Sequence, residues 1–185
     1  MTAAGAEAVR GDLLQPGDWE KRLTGCISVF HVAGEVAMCD RTRLEVNLAG
    51  TRRVVAAAAR AGVRRIVFTS SAATIGEAAG TVGAEATVHT GQYLSGYARS
   101  KHLAEQAAFS DAARLGIELV SVNPSSIQGP GRTHGTARIF LGYLRGKLRW
   151  AVRTRMPLVF VDDAVNVHLL AEDKGVPGER YLACG

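Results

Sequence analysis

Short apolar runs alternate along this chain with long stretches of helical spacing, and that alternation leaves few folds open. CISVFHVA (26–33), VRRIVFTS (63–70) and IELVSVNP (117–124) are rich in β-branched residues and bounded by Gly or Pro. They read as buried strands, with RYLAC (180–184) as a last one. Residues 40–61 and 93–115 carry helical spacing and run into Gly62 and Gly116, the usual stop signals. Residues 162–174 read as a further helix, with Asp162 or Asp163 as its N-cap. Strands joined through helices cannot pair as hairpins, so the prediction is an α/β fold with a parallel sheet. The strands lack a polar face, which calls for helices on both sides of the sheet. At 185 residues the chain fits a single domain. The Gly/Ala/Thr-rich stretch 76–92 is the one long loop, and a loop of that length inside a compact domain is usually functional or mobile.

Composition narrows the function classes. Apolar residues make up 47% and charged residues 21%, ordinary for a soluble globular protein. No run reaches the roughly 18 apolar residues of a membrane helix, and the N-terminus has no apolar core of signal-peptide length. Cys26, Cys39 and Cys184 stand far apart, with no CxxC and no His at ligand spacing. Free thiols in a reducing cytoplasm and no metal site are the expectation. The net charge of +5 is scattered except in RGKLRWAVRTR (145–155). That run is readable as a solvated face, as a phosphate-attracting rim near a cofactor or acyl carrier, or as a nucleic-acid surface. No aromatic series accompanies it, which argues against single-stranded nucleic acid.

Two places carry chemistry. In YARSK, Tyr97 and Lys101 are four residues apart, on one face of the predicted helix. A phenol with its usual pKa near 10 is a poor base at neutral pH. A lysine cation about 5 Å away, at an effective dielectric of about 20, favours the phenolate by roughly 3 kcal/mol. Alone, YxxxK is also a common chance pattern on a surface helix. Ser70 and Ser71 follow the strand VRRIVFT, where open α/β sheets bind ligands, and a Ser there can donate to a carbonyl oxygen. By themselves they also read as capping or loop serines.

Taken together and in order, several segments resemble the extended short-chain dehydrogenase/reductase family. The resemblance is to its NAD(P)-dependent epimerase/dehydratase and dihydroflavonol-reductase-like branch. The segments are VRGDL (9–13), GCISVFHVAG (25–34), NLAGT (47–51), GVRRIVFTSSAATIG (62–76), YARSK (97–101), NPSSIQGPGR (123–132), VDDAVNVHLLA (161–171) and PGERY (177–181). The resemblance implies a Rossmann-like sheet and an NAD or NADP cofactor. It also implies hydride transfer between a nicotinamide and a carbon bearing oxygen, on a small-molecule substrate. Tyr97 would be the acid/base, Ser71 would orient the carbonyl, and Lys101 would hold the nicotinamide ribose and help Tyr97 release its proton. Asp12 would lie near the adenine, and Val32 and Ala33 on the adenosine side. Asn123, Pro124 and Ser125 would sit by the nicotinamide, and Arg132 by the substrate or pyrophosphate. His31 and Asn47 read as structural. Helices 40–61 and 93–115 correspond to the pair that forms a homodimer interface in relatives.

The chain departs from the family pattern at its start. The strand–GxxGxxG–helix unit that cradles a pyrophosphate is absent: GTVG (80–83) follows no strand and GPGRTHG (129–135) has another context. The expectation is therefore a partial Rossmann-type domain over 1–185 that lacks the first βαβ unit. Its substrate-binding elements, about 126–160, would be incomplete. A strand near 7–11 would be the family's third. Strand 26–33 would become a bare apolar edge, with residues 1–20 poorly anchored or the edge covered by another chain. Three readings follow: a reductase or epimerase/dehydratase, an inactive fragment, or a non-catalytic binding or dimerisation protein that keeps the fold.

Overall fold

The computed structural model describes residues 5–36, 40–150 and 154–185. Its main sheet contains β1 (Ser28–His31), β2 (Arg65–Thr69), β3 (Glu118–Pro124) and β6 (Arg180–Ala183), side by side in the order β1-β2-β3-β6 and all parallel. The helices lie on both faces, as the apolar strands require. On one side α3 (Thr51–Arg60) and α4 (Gly96–Leu115) bring Val55, Ala58, Ala104 and Ala108 onto Ile66, Phe68 and Leu119. On the other side α6 (Val161–Lys174) packs Ala164 and Ala171 against Val67, Val120 and Val122. Each fully buried Val, Ile or Phe contributes roughly 2 kcal/mol of transfer free energy. The alternation of Ile66, Val67 and Phe68 between the two cores fixes the register of β2.

Several expectations are corrected in detail. Residues 6–12 form no strand, because no neighbouring strand lies alongside to take their hydrogen bonds. The chain is anchored further on. Trp19 Nε1 donates to the carbonyls of Asp12 and Gln15, and Glu20 pairs with Arg53 and Arg60 of α3. The helix expected at 93–115 begins at Gly96, where Ser95 Oγ accepts the Ala98 N–H as N-cap. The N-cap of α6 is Phe160, and Asp162 and Asp163 fall in the first turn, where the helix dipole favours them. Elements absent from the sequence reading are α1 (Asp18–Lys21), α5 (Ala137–Leu144) and a parallel pair formed by β4 (Ser126–Gln128) and β5 (Leu158–Phe160). Strands of three residues are too short to show a period. Cys39 and residues 151–153 of the basic run lie outside the described residues.

The helix expected over 40–61 is three segments, α2 (Asp40–Leu44), a π-helical stretch Glu45–Gly50, and α3. The wider turns carry Asn47, which is buried. Its Oδ1 accepts the Glu35 N–H at 2.7 Å, and its Nδ2 donates to the Glu35 carbonyl and to Ser100 Oγ, both at 3.0 Å. One amide thus fastens the loop after β1 to α4. π-Turns inside helices recur at functional positions, and this one brings Asn47 to Gly34, where an added Cβ would lie 3.3 Å from Asn47 Oδ1 and 3.6 Å from Lys101 Nζ. Asn47→Ala removes both hydrogen bonds to the Glu35 backbone and the one to Ser100. It is expected to cost about 2 kcal/mol, read as a lowered urea midpoint with unchanged slope.

Candidate active site

The C-terminal ends of β1, β2 and β3 open on the α3/α4 side of the sheet. There β2 supplies Phe68, whose ring carries the Lys101 ammonium 4.7 Å from its centroid. Lys101 is buried, and its Nζ donates to the Thr69 carbonyl at 2.7 Å. Burial pushes the Lys101 ammonium down to about 8, and Glu105, one turn further along α4, opposes that shift. With one N–H committed to Thr69, Lys101 keeps donors for a ligand. Tyr97 stands one turn before it, half-buried.

Ser71 follows β2 and caps the 3₁₀ turn Ala72–Thr74. Its Oγ accepts the Ala73 N–H at 3.2 Å, which leaves the hydroxyl proton free to donate elsewhere. Its carbonyl receives the Thr74 hydroxyl at 2.8 Å and the Asn123 amide at 3.4 Å. A cleft of about 570 Å³ opens beside it, with Ala72, Ala73, Gly76 and Glu77 on one wall and Ser95 and Ala98 on the other. Those walls flank Ser71 in sequence on one side and Tyr97 on the other. Ser71 and Lys101 thus stand at the end of β2, where Lys101 Nζ meets the Thr69 carbonyl, and Tyr97 lies in the first turn of α4, the helix that carries Lys101. The loop 76–92 contributes much of this lining, whereas the substrate-binding elements expected at about 126–160 contribute none of it among the described residues.

The other expected residues divide. Val32 and Ala33 are exposed just beyond β1. Gly34 follows, and a Cβ there would lie 3.6 Å from Lys101 Nζ and 3.3 Å from Asn47 Oδ1. Pro124 ends β3, and the Ser125 N–H donates to the Ala183 carbonyl. The Asn123 side chain is fully buried, and its amide is committed within the protein. Asp12 spends its carboxylate on the Leu14 N–H at 2.8 Å, in an exposed turn. Arg132 is exposed beside Gly135, and no hydrogen bond ties its side chain to the Ser71 group among the described residues. Sequence reasoning missed Glu105, whose buried carboxylate meets Asn123 and Arg180. Its position four residues after Lys101 was the available signal.

A nicotinamide and its ribose suit this surface. Ser70 Oγ and Ser125 Oγ are buried without partners at the ends of β2 and β3, and Lys101 has N–H groups to spare. A glycine stands where a side chain would crowd Lys101 and Asn47. A Gly-rich turn for the pyrophosphate is not in the sequence.

Comparison with known proteins gives the family. A sequence model of the NAD dependent epimerase/dehydratase family matches residues 2–184, and the chain belongs to that family. It is 36% identical to sterol demethylase protein B of Methylococcus capsulatus, over 97% of this chain and 56% of that protein. It is 35% identical to a putative dihydroflavonol 4-reductase of Synechocystis, over 94% of this chain and 53% of that one. The crystal structure of gox2253 superposes with a TM-score of 0.87 at 33% identity, covering 95% of this chain and 55% of that one. The chain thus spans about half the length of the relatives it matches.

His31 closes the floor of the site as a structural residue. Its Nε2 lies 2.9 Å from Thr51 Oγ1 and its ring 5.5 Å from that of Phe68. Burial, with the Lys101 charge as a lesser cause, holds the imidazole down at about 4, from the usual 6.5. The unfolded chain therefore takes up this proton at higher pH than the folded chain. Stability present above pH 6.5 is lost as the pH falls toward 4, by roughly 3 kcal/mol. His31→Gln is expected to remove that part of the acid sensitivity, seen by comparing urea midpoints of the two proteins at pH 7 and 4.5.

Proposed function

We propose that this chain carries the catalytic end of an NAD(P)-dependent carbonyl reductase. The observation that carries the reading is Ser71, whose oxygen is fixed by the Ala73 N–H while its proton stays free, next in sequence to Ala72 and Ala73 of a cleft whose other wall, Ser95 and Ala98, brackets Tyr97 in sequence. When bound, a reduced nicotinamide supplies the hydride. Ser71 then donates to the substrate's carbonyl oxygen and stabilises the charge that builds there. Tyr97 gives its phenolic proton to that oxygen as it becomes a hydroxyl. Lys101 offers its remaining N–H groups to the ribose and favours the resulting phenolate. Ser70 and Ser125 are available to polar atoms of the nicotinamide. A reductase is favoured over a sugar-nucleotide epimerase or dehydratase by the dihydroflavonol-reductase-like relative and by the small apolar lining of the cleft.

Fluorescence titration with NADPH and NADH tests the reading. Saturable micromolar binding supports it and identifies the preferred cofactor. Absence of binding by the folded chain rejects it for this chain on its own. Tyr97→Phe is expected to retain binding and lower turnover of an apolar ketone by about a hundred- to ten-thousand-fold. An unchanged rate removes Tyr97 from the proton transfer.

The homodimer is likewise proposed, through the outer faces of α3 and α4. Ala56 of α3 and Ala113 of α4 are small enough to let two helix pairs approach closely. Sedimentation velocity is expected to show a dimer, and a monomer at high protein concentration ends the proposal.

A further inference from the structure

We propose that Glu105 is the positioning residue of this site, coupling the Ser71 turn to the Lys101 ammonium through one buried carboxylate. The inference deepens the reductase reading and rests on it for the roles of Ser71 and Lys101. Its geometry stands apart from that reading.

Glu105 is 3% exposed on α4. Its Oε2 accepts the Asn123 amide at 2.6 Å, and its Oε1 lies 3.4 Å from Arg180. The second Asn123 N–H goes to Thr74 Oγ1 at 2.9 Å, and the Thr74 hydroxyl donates to the Ser71 carbonyl at 2.8 Å. Ser121 Oγ donates to Asn123 Oδ1 at 2.8 Å and so fixes the amide's orientation. The chain of bonds runs Ser121, Asn123, Thr74, Ser71, and the carboxylate anchors it. Without an acceptor inside, Asn123 would be free to turn its amide toward the cleft, and the Ser71 carbonyl and the Thr74 hydroxyl would each lose the Asn123 N–H.

The same carboxylate acts on Lys101 one helical turn away. Burial over Phe68 disfavours the ammonium, and Glu105 is the charge that opposes it. His31 faces the ammonium from β1 as a neutral ring, and Arg180 faces Glu105 from β6. Arg180 competes with Lys101 for the carboxylate. It also fixes the 76–92 loop, through the Glu85 carbonyl and the Thr87 carbonyl, both at 2.8 Å.

The test reads Lys101 directly, in the full chain without cofactor, by NMR titration of ¹³C-labelled lysine. The chain has four lysines, so Lys101 is readily assigned. The wild-type midpoint is expected near 8. Glu105→Gln keeps the side chain's size and removes its charge. It is expected to lower the Lys101 midpoint and to shift the Asn123 side-chain amide resonances. Arg180→Met removes the competing cation and is expected to raise the midpoint, the opposite sign. This second variant decides the matter if Glu105→Gln does not fold. An unmoved Lys101 midpoint in the folded variants overturns the coupling to Lys101, and unmoved Asn123 resonances overturn the coupling to Ser71. A chain that binds neither NADH nor NADPH fails the reductase reading and leaves both NMR results standing.

Discussion

An ammonium group that is almost wholly out of water has to be held by its surroundings, and Lys101 organises this structure around that need. Its charge lies over the Phe68 ring and against the Thr69 carbonyl, at the end of a strand. Both contacts exist only if β2 is in its observed register and α4 lies at its observed depth. The tight packing of Ala104 and Ala108 on the sheet sets that depth. Small side chains on α4 therefore do two things: they let the helix approach closely, and they deliver the lysine to the strand end. A larger residue at either position would lift the ammonium away from its carbonyl.

The polar groups near Lys101 follow the same logic. Asn47, Ser100, Glu105, Ser121 and Asn123 are all buried at one end of an otherwise apolar sheet. Each would cost about 1–3 kcal/mol if left unpaired. Because each is paired with another element, the cost becomes rigidity. The Asn47 amide ties the loop after β1 to α4, and Glu105 ties α4 to β3 and β6. The two exceptions, Ser70 and Ser125, are adjacent strand-end hydroxyls without partners, where a ligand has a reason to be.

Much of this could be read from the residues. β2 and β3 were legible because buried strands are apolar throughout, and α4 was legible because Gly116 ends it in the left-handed conformation that glycine permits. That Tyr97 and Lys101 stand one turn apart on one face of α4 follows from helical spacing alone. Other features depend on distant partners. Asn123 reads from its motif as a residue facing a nicotinamide, yet its amide points inward, because Glu105 and Ser121 stand on the same side of the sheet. The β4–β5 pair joins residues some thirty apart in three-residue strands, too short for any local signal. The π-turn at Asn47 arises inside a segment whose spacing is simply helical.

The two edges of the sheet are treated in opposite ways. At β6 the 76–92 loop is strapped down: the Glu85 carboxylate accepts the Leu182 N–H, and Arg180 holds two loop carbonyls. The Leu182 N–H explains why the Glu85 carboxyl is held below the usual range. On the outer side of β1 no strand lies alongside among the described residues, and Ile27 and Val32 flank it at 71% and 62% exposure. An edge of unpaired backbone groups beside exposed apolar side chains is the side on which a parallel sheet can be extended. Ser71, Tyr97 and Lys101 follow β2 or lie on α4, away from that edge. The open edge borders the exposed Val32–Ala33 segment, the side that the family resemblance assigns to the adenosine half of a dinucleotide.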